Sequence, residues 1–116
     1  MSRRKISMTA VAENASVFLG TQIRLARHAK KWTAAELADR AGVSRITVLQ
    51  AEKGSPNTSL GNVLNIAAIA GVELFGLDDP VELARARRRG EERLALVPSK
   101  VYPSVKRDDG DGDYDF

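Results

Sequence analysis

The side chains with the most to offer chemically lie within a short stretch. Ser44, Arg45, Ile46, Thr47, Leu49, Gln50, Lys53 and Asn57 all fall between positions 44 and 57. Arg45 carries a guanidinium fork that matches O6 and N7 of guanine, and Gln50 an amide that matches N6 and N7 of adenine. Ile46 and Leu49 make no hydrogen bonds, but they can pack on a thymine methyl. Ser44 and Thr47 carry short hydroxyls suited to phosphate oxygens, and Lys53 and Asn57 flank the end of the stretch with further phosphate donors. Each of these alone reads as an ordinary solvated side chain. Together they describe a surface for base edges and backbone. A second reading stays open for the two apolar residues, in which they turn back onto the protein, Leu49 against the helix that follows.

Such a surface needs a rigid element to present it. Thr33 and Glu36 form a T-x-x-E capping box, which starts a helix by satisfying its free N–H groups. Leu37, Ala38 and Ala41 follow at helical spacing on one face. Gly42 comes next, where the chain must take φ > 0 to stop the helix and turn. Val43 plugs the turn, and Ser44 is a good N-cap for a second helix. In that second helix Val48, Ala51 and Glu52 share one side, while Arg45, Ile46, Leu49 and Gln50 share the other. A tight helix pair with an outward second face is the helix-turn-helix arrangement.

The segment 33–54 resembles the lambda-repressor-like (XRE) helix-turn-helix family. Leu37, Ala38, Ala41, Gly42, Val43, Ser44, Thr47, Val48, Glu52 and Gly54 stand at the family's spacing. Two positions depart from it. Ala34 replaces a common Gln that often touches phosphate, and the small Ala51 replaces a larger apolar residue, so the core must be filled from elsewhere. The resemblance covers about residues 17 to 77. It implies a compact all-α bundle of four to five helices. It also implies a partly buried ion pair between Arg27 and Glu52 that sets the angle of the second helix of the motif.

The rest of the chain reads around that motif. Residues 1–13 have weak periodicity and are expected to be a flexible basic arm; residues 2–5 suit either a minor-groove contact or a solvated terminus. A first helix is expected from about Ser16 to Lys30, with Leu19, Ile23 and Ala26 as its stripe. Trp32 is the only tryptophan and is expected to fill the core against the next helix rather than to stack. Residues 55–58 form a loop with Pro56 blocking helix continuation. Thr58 or Ser59 then caps a fourth helix carrying Leu60, Val63, Leu64, Ala67 and Ala70, ended by Gly71. Val72, Leu74, Phe75 and Leu77 make either a core-closing turn or an edge strand. The helix-turn-helix domain is therefore expected over 14–78. A helical extension is expected over 79–97, with Asp79 as N-cap, Pro80 at N1 and Gly90 as a break. A disordered acidic tail is expected over 98–116.

Charge is unevenly spread. The chain of 116 residues carries +3, and +8 without the five aspartates at 108, 109, 111, 113 and 115. A basic body suits a polyanion. Arg85, Arg87, Arg88, Arg89 and Arg93 form the densest basic cluster, read as a solvated face, a set of phosphate contacts or a docking surface for an acidic tail. Tyr114 and Phe116 stand among the tail aspartates, and with Arg87 and Arg88 they are candidate partner-binding residues.

Several function classes find no support. There is no cysteine and one histidine, His28, so thiolate chemistry and a histidine-based metal cluster drop out. No phosphate-binding glycine loop or nucleophile elbow is present, and the tail aspartates lack the EF-hand spacing. No enzyme activity, cofactor or metal is expected. No apolar run approaches the ~18 residues of a membrane span, and no secretion signal core follows the basic start, so a cytoplasmic, nucleoid-associated protein is expected.

The resemblance implies a DNA-binding transcriptional repressor, a homodimer on a palindromic operator. The run 55–66, SPNTSLGNVLNI, is similar to the same segment of HipB-like antitoxins. That similarity implies an antitoxin of a type II toxin–antitoxin pair that represses its own operon and neutralises a HipA-like kinase toxin. Two alternatives stay open: a stand-alone or prophage XRE-type regulator, and a partner-binding protein whose DNA binding is secondary. An RNA-binding module fits less well, because no aromatic stacking platform is visible.

Overall fold

A computed structural model describes residues 6–101 and 103. Among them are five helices: α1 Ala10–Ala29, α2 Ala34–Ala41, α3 Arg45–Lys53, α4 Leu60–Ala70 and α5 Pro80–Ala95. Contacts divide the chain after Asp78 into two units, and each is described by itself.

The first unit holds the core. Ile23 of α1, Leu37 of α2, Val48 of α3 and Ile66 of α4 are wholly buried. Alanines 38, 41, 51, 67 and 70 fill the spaces between them. Small residues at five of nine core positions let the helix axes approach closely, and each large side chain then meets several helices at once. Removing one such side chain typically costs ~2–5 kcal/mol.

Local chemistry accounts for the helix ends. The Thr33 box forms in full: the Glu36 N–H donates to Thr33 Oγ1 at 3.0 Å, and the Thr33 N–H donates to Glu36 Oε1 at 2.7 Å. Gly42 ends α2 at φ 70°. Ser44 starts α3 by accepting the Thr47 N–H at 3.1 Å. Ser59, rather than Thr58, caps α4 by accepting the Asn62 N–H at 3.2 Å. A tertiary contact adds to these. Asn65 on α4 donates through Nδ2 to the Ala41 carbonyl at 3.1 Å, which satisfies one of the free carbonyls at the end of α2.

Two expectations change, and one open alternative is decided. Helix α1 begins at Ala10 instead of near Ser16, so residues 10–13 belong to it and not to a loose arm. Thr9 supplies the start, accepting the Ala12 N–H at 3.1 Å, and the alanines that follow have high helix propensity. Weak apolar periodicity there marks a helix whose outer face is exposed, not an unstructured segment. The run after α4 is a turn. The Leu77 N–H donates to the Leu74 carbonyl at 3.0 Å, with Phe75 at φ 58° and Gly76 at φ 71°. Val72 and Leu74 pack on the core, while Phe75 is exposed.

The second change lies in the second unit. Helix α5 runs through Gly90 without a break. One interior glycine costs only about 1 kcal/mol, and good helix formers surround it. Asp79 caps the helix by accepting the Val81 N–H at 2.9 Å, and Pro80 occupies the first turn. Arg85–Glu82 at 3.3 Å and Arg87–Glu91 at 3.1 Å pair along its surface. None of its residues is buried, so the core is a four-helix one. The expected arm residues 2–5 and most of the expected tail lie outside the described residues.

Candidate nucleic-acid interface

Helix α3 is divided lengthwise. Val48, Ala51 and Glu52 are buried. Arg45, Ile46, Gln50 and Lys53 are exposed, and Thr47 and Leu49 are half-buried. Among the described residues, no hydrogen bond or ion pair engages the side chains of Arg45, Gln50 or Lys53. Ile46 keeps 63 % of its surface in solvent, so it does not turn back onto the protein. Leu49 stands outside the buried core cluster and the hydrophobics packed on it.

The start of α3 gathers polar groups. Ser44 Oγ lies 2.9 Å from Thr47 Oγ1, so the two hydroxyls sit side by side at the positive end of the helix dipole. That is a favourable place for a phosphate oxygen. Asn57 is exposed in the loop beyond α3, its N–H donating to Ser55 Oγ at 3.2 Å.

Arg27 and Glu52 hold this face in position. The Arg27 Nε–H donates to Glu52 Oε2 at 2.6 Å and the Nη2–H to Oε1 at 3.0 Å. The pair is a two-pronged fork with side chains only 9 % and 4 % exposed. A third donor, Nη1, reaches the Trp32 carbonyl at 3.0 Å. Hydrogen bonding to Glu52 raises the Arg27 pKa above its ordinary value, burial opposes it, and the Glu52 charge adds to the rise. Arg27 therefore stays charged at any working pH. The fork ties the C-terminal end of the motif's second helix to α1 and to the α1–α2 corner.

The sequence reading missed two further parts of that tie. A Cβ at Gly20 would overlap the backbone oxygens of Glu52 and Ala51. Helix α1 therefore touches α3 backbone to backbone, and the small Ala51 is part of that close approach. The available signal was a glycine on the core side of α1, between Leu19 and Ile23. Trp32 also does two things at once. It packs on the core, and its ring carries the Arg40 guanidinium at 4.2 Å from the centroid and Lys30 Nζ at 5.4 Å. Thr58 Oγ1 is buried with no hydrogen-bond partner among the described residues, for which nothing in the structure gives a reason.

The remaining sequence candidates are dispersed. Ala34, where the family often has Gln, packs partly on the core. Arg87 is engaged by Glu91, and Arg88 is exposed. Tyr114 and Phe116 lie outside the described residues. No helix among the described residues is long and apolar enough to cross a membrane. No group of three or more His, Cys, Asp or Glu side chains among them is placed to hold a metal.

Two capped helices at a glycine corner, with the second locked from behind and open in front, define a helix-turn-helix DNA-binding domain. The chain belongs to the helix-turn-helix family of XRE type, whose model matches residues 23–77, and this makes it a DNA-binding transcription regulator. The crystal structure of the restriction-modification controller protein C.AhdI from Aeromonas hydrophila is similar, at 33 % sequence identity. The match covers 52 % of this chain and 91 % of that one, with a TM-score of 0.45. No curated protein matches the chain.

Proposed function

We propose that the protein is a sequence-specific repressor that binds a palindromic operator as a homodimer. In this reading it is the antitoxin of a type II toxin–antitoxin pair, acting in the cytoplasm on the nucleoid. It represses its own operon and neutralises a HipA-like kinase toxin. The observation that carries operator reading is the lengthwise division of α3. Arg45, Ile46 and Gln50 are exposed on a helix whose opposite side is fixed by the Arg27–Glu52 fork. An unengaged guanidinium and an amide on one rigid helix are what bidentate recognition of G and A requires. Phosphate contacts from Ser44, Thr47, Lys53 and Asn57 would supply register and much of the affinity. The antitoxin assignment is supported by the resemblance of residues 55–66 to HipB-like proteins.

The test is a fluorescence-anisotropy titration on DNA from upstream of the protein's own gene, beside a scrambled duplex, at several salt concentrations. Wild type should prefer the native duplex. Arg45→Ala with Gln50→Ala should lose that preference, each lost bidentate contact being worth ~1–3 kcal/mol. Equal, salt-sensitive binding to both duplexes would reject operator reading and favour a partner-binding protein with secondary DNA contacts. For the toxin, co-expression with a neighbouring kinase-like reading frame should give a stable complex with suppressed kinase activity. A neighbourhood without such a frame would leave a stand-alone regulator.

A further inference from the structure

Helix α1 has a second apolar face that the core does not use. Gly20, Ile23 and Arg27 point inward and are buried. On the far side lie Val11, Ala15, Phe18, Gln22, Leu25 and Ala29, spaced four and three alternately along the full helix. That alternation is the heptad seam of paired helices. Its three large members are open to solvent: Val11 at 79 %, Phe18 at 64 % and Leu25 at 62 %. Singly exposed apolar residues are common, but three in register along one helix form a patch.

We propose that this face is a self-docking surface, on which α1 of a second copy of the chain pairs antiparallel. Size complementarity favours that occupant. Large and small residues alternate along the seam, so antiparallel pairing sets each large side chain against a smaller one: Val11 on Ala29, Leu25 on Ala15 and Phe18 on Gln22. Such alternation lets layers interlock without voids. Parallel pairing would set Phe18 on Phe18 and leave alanine facing alanine. The antiparallel arrangement is also isologous and closes on itself as a two-fold dimer.

Charge is compatible with the same pairing. The seam carries no Asp, Glu, Lys or Arg, and the outer flank beside it is Asn14, Thr21 and His28. Across an antiparallel pair Asn14 meets His28, and Thr21 meets Thr21 at the two-fold axis, so no like charges face each other. Size sets the strength. Two helices about 30 Å long meeting side by side bury roughly 800 Å² in total, below the ~1,200 Å² at which stable complexes begin. Pairing is therefore weak and concentration-dependent in free protein.

This inference supplies a surface for the homodimer of the preceding reading. All its readouts are taken without DNA, so its failure and a failure of DNA binding are separate results. The chain has no cysteine, which allows single-site crosslinking of the full protein. Under mild oxidation Thr21→Cys alone should give a covalent dimer. Asn14→Cys alone should stay monomeric, because its two copies would lie about 18 Å apart along the axis, far beyond disulfide reach. Asn14→Cys mixed with His28→Cys should crosslink. In sedimentation experiments Phe18→Asp should weaken self-association by at least about tenfold with melting unchanged, since Phe18 lies outside the core. Failure of Thr21→Cys to crosslink, or equal crosslinking by Asn14→Cys, overturns antiparallel pairing. So does a Phe18→Asp protein with unaltered self-association. If that variant instead loses a different protein that wild type retains, the seam belongs to that partner and the self-docking assignment is wrong.

Discussion

Replacing Glu52 by alanine tests the architecture most directly. The carboxylate accepts two hydrogen bonds from Arg27, at 2.6 and 3.0 Å, with both side chains under 10 % exposed. Removing one partner of a buried pair strands the other charge and costs ~3–5 kcal/mol. Two features place this case at the lower end. Arg27 keeps its bond to the Trp32 carbonyl, and the alanine leaves space through which water can reach the guanidinium. A loss of about 3 kcal/mol in a domain of this size corresponds to a fall of roughly 12–24 °C in Tm, a large part of a typical total stability of ~5–15 kcal/mol. Operator affinity should fall with it, even well below the variant's melting temperature, because α3 loses the tie that sets its angle. Thermal unfolding and anisotropy on the same samples provide the assay. The double variant Arg27→Leu with Glu52→Leu should be more stable than Glu52→Ala, since no charge is left stranded. A Glu52→Ala protein melting within about 2 °C of wild type would refute the stranded-charge argument. A double variant less stable than the single would refute it equally.

Four further substitutions separate packing from recognition. Gly20→Ala should lower stability by about 1–3 kcal/mol, because its methyl meets backbone that cannot swing aside; calorimetry should show the loss. Gly90→Ala should raise the stability of α5 by up to about 1 kcal/mol, since nothing lies within 4 Å of the added methyl, and helicity by circular dichroism should increase. Asn65→Ala removes the donor to the Ala41 carbonyl and should cost about 1 kcal/mol, read as faster amide exchange at the end of α2. Ile46→Ser should leave Tm within about 2 °C, as expected of an exposed site, while weakening operator binding if the side chain packs on a thymine methyl; unchanged binding would show that Ile46 makes no such contact.

Local signals were the most readable in this chain. The Thr33–Glu36 box, the turn at Gly42 and the Ser44 and Asp79 caps each involve atoms within four residues, so sequence alone identifies them. The inward and outward sides of α3 were legible too, because helical periodicity decides which residues share a face. The start of α1 was not, since a helix exposed along one side gives a weak apolar period. Gly90 misled because a single glycine is a modest penalty rather than a stop. Periodicity left open which way Leu49 faces, and in the fold it is half-buried outside the core cluster.

By itself, the sequence determined the helix starts at Thr33, Ser44 and Asp79, the corner at Gly42 and the outward placement of Arg45 and Gln50 on α3. Those properties depend on neighbours along the chain, and neighbours along the chain are what a sequence records. Only the tertiary structure decided that α1 meets α3 backbone to backbone at Gly20. It alone supplied the third bond of Arg27, to the Trp32 carbonyl, and the capping of α2 by Asn65 from across the core. Each of these joins atoms whose proximity is created by packing, and a distance set by packing exists only once the helices have closed around their core.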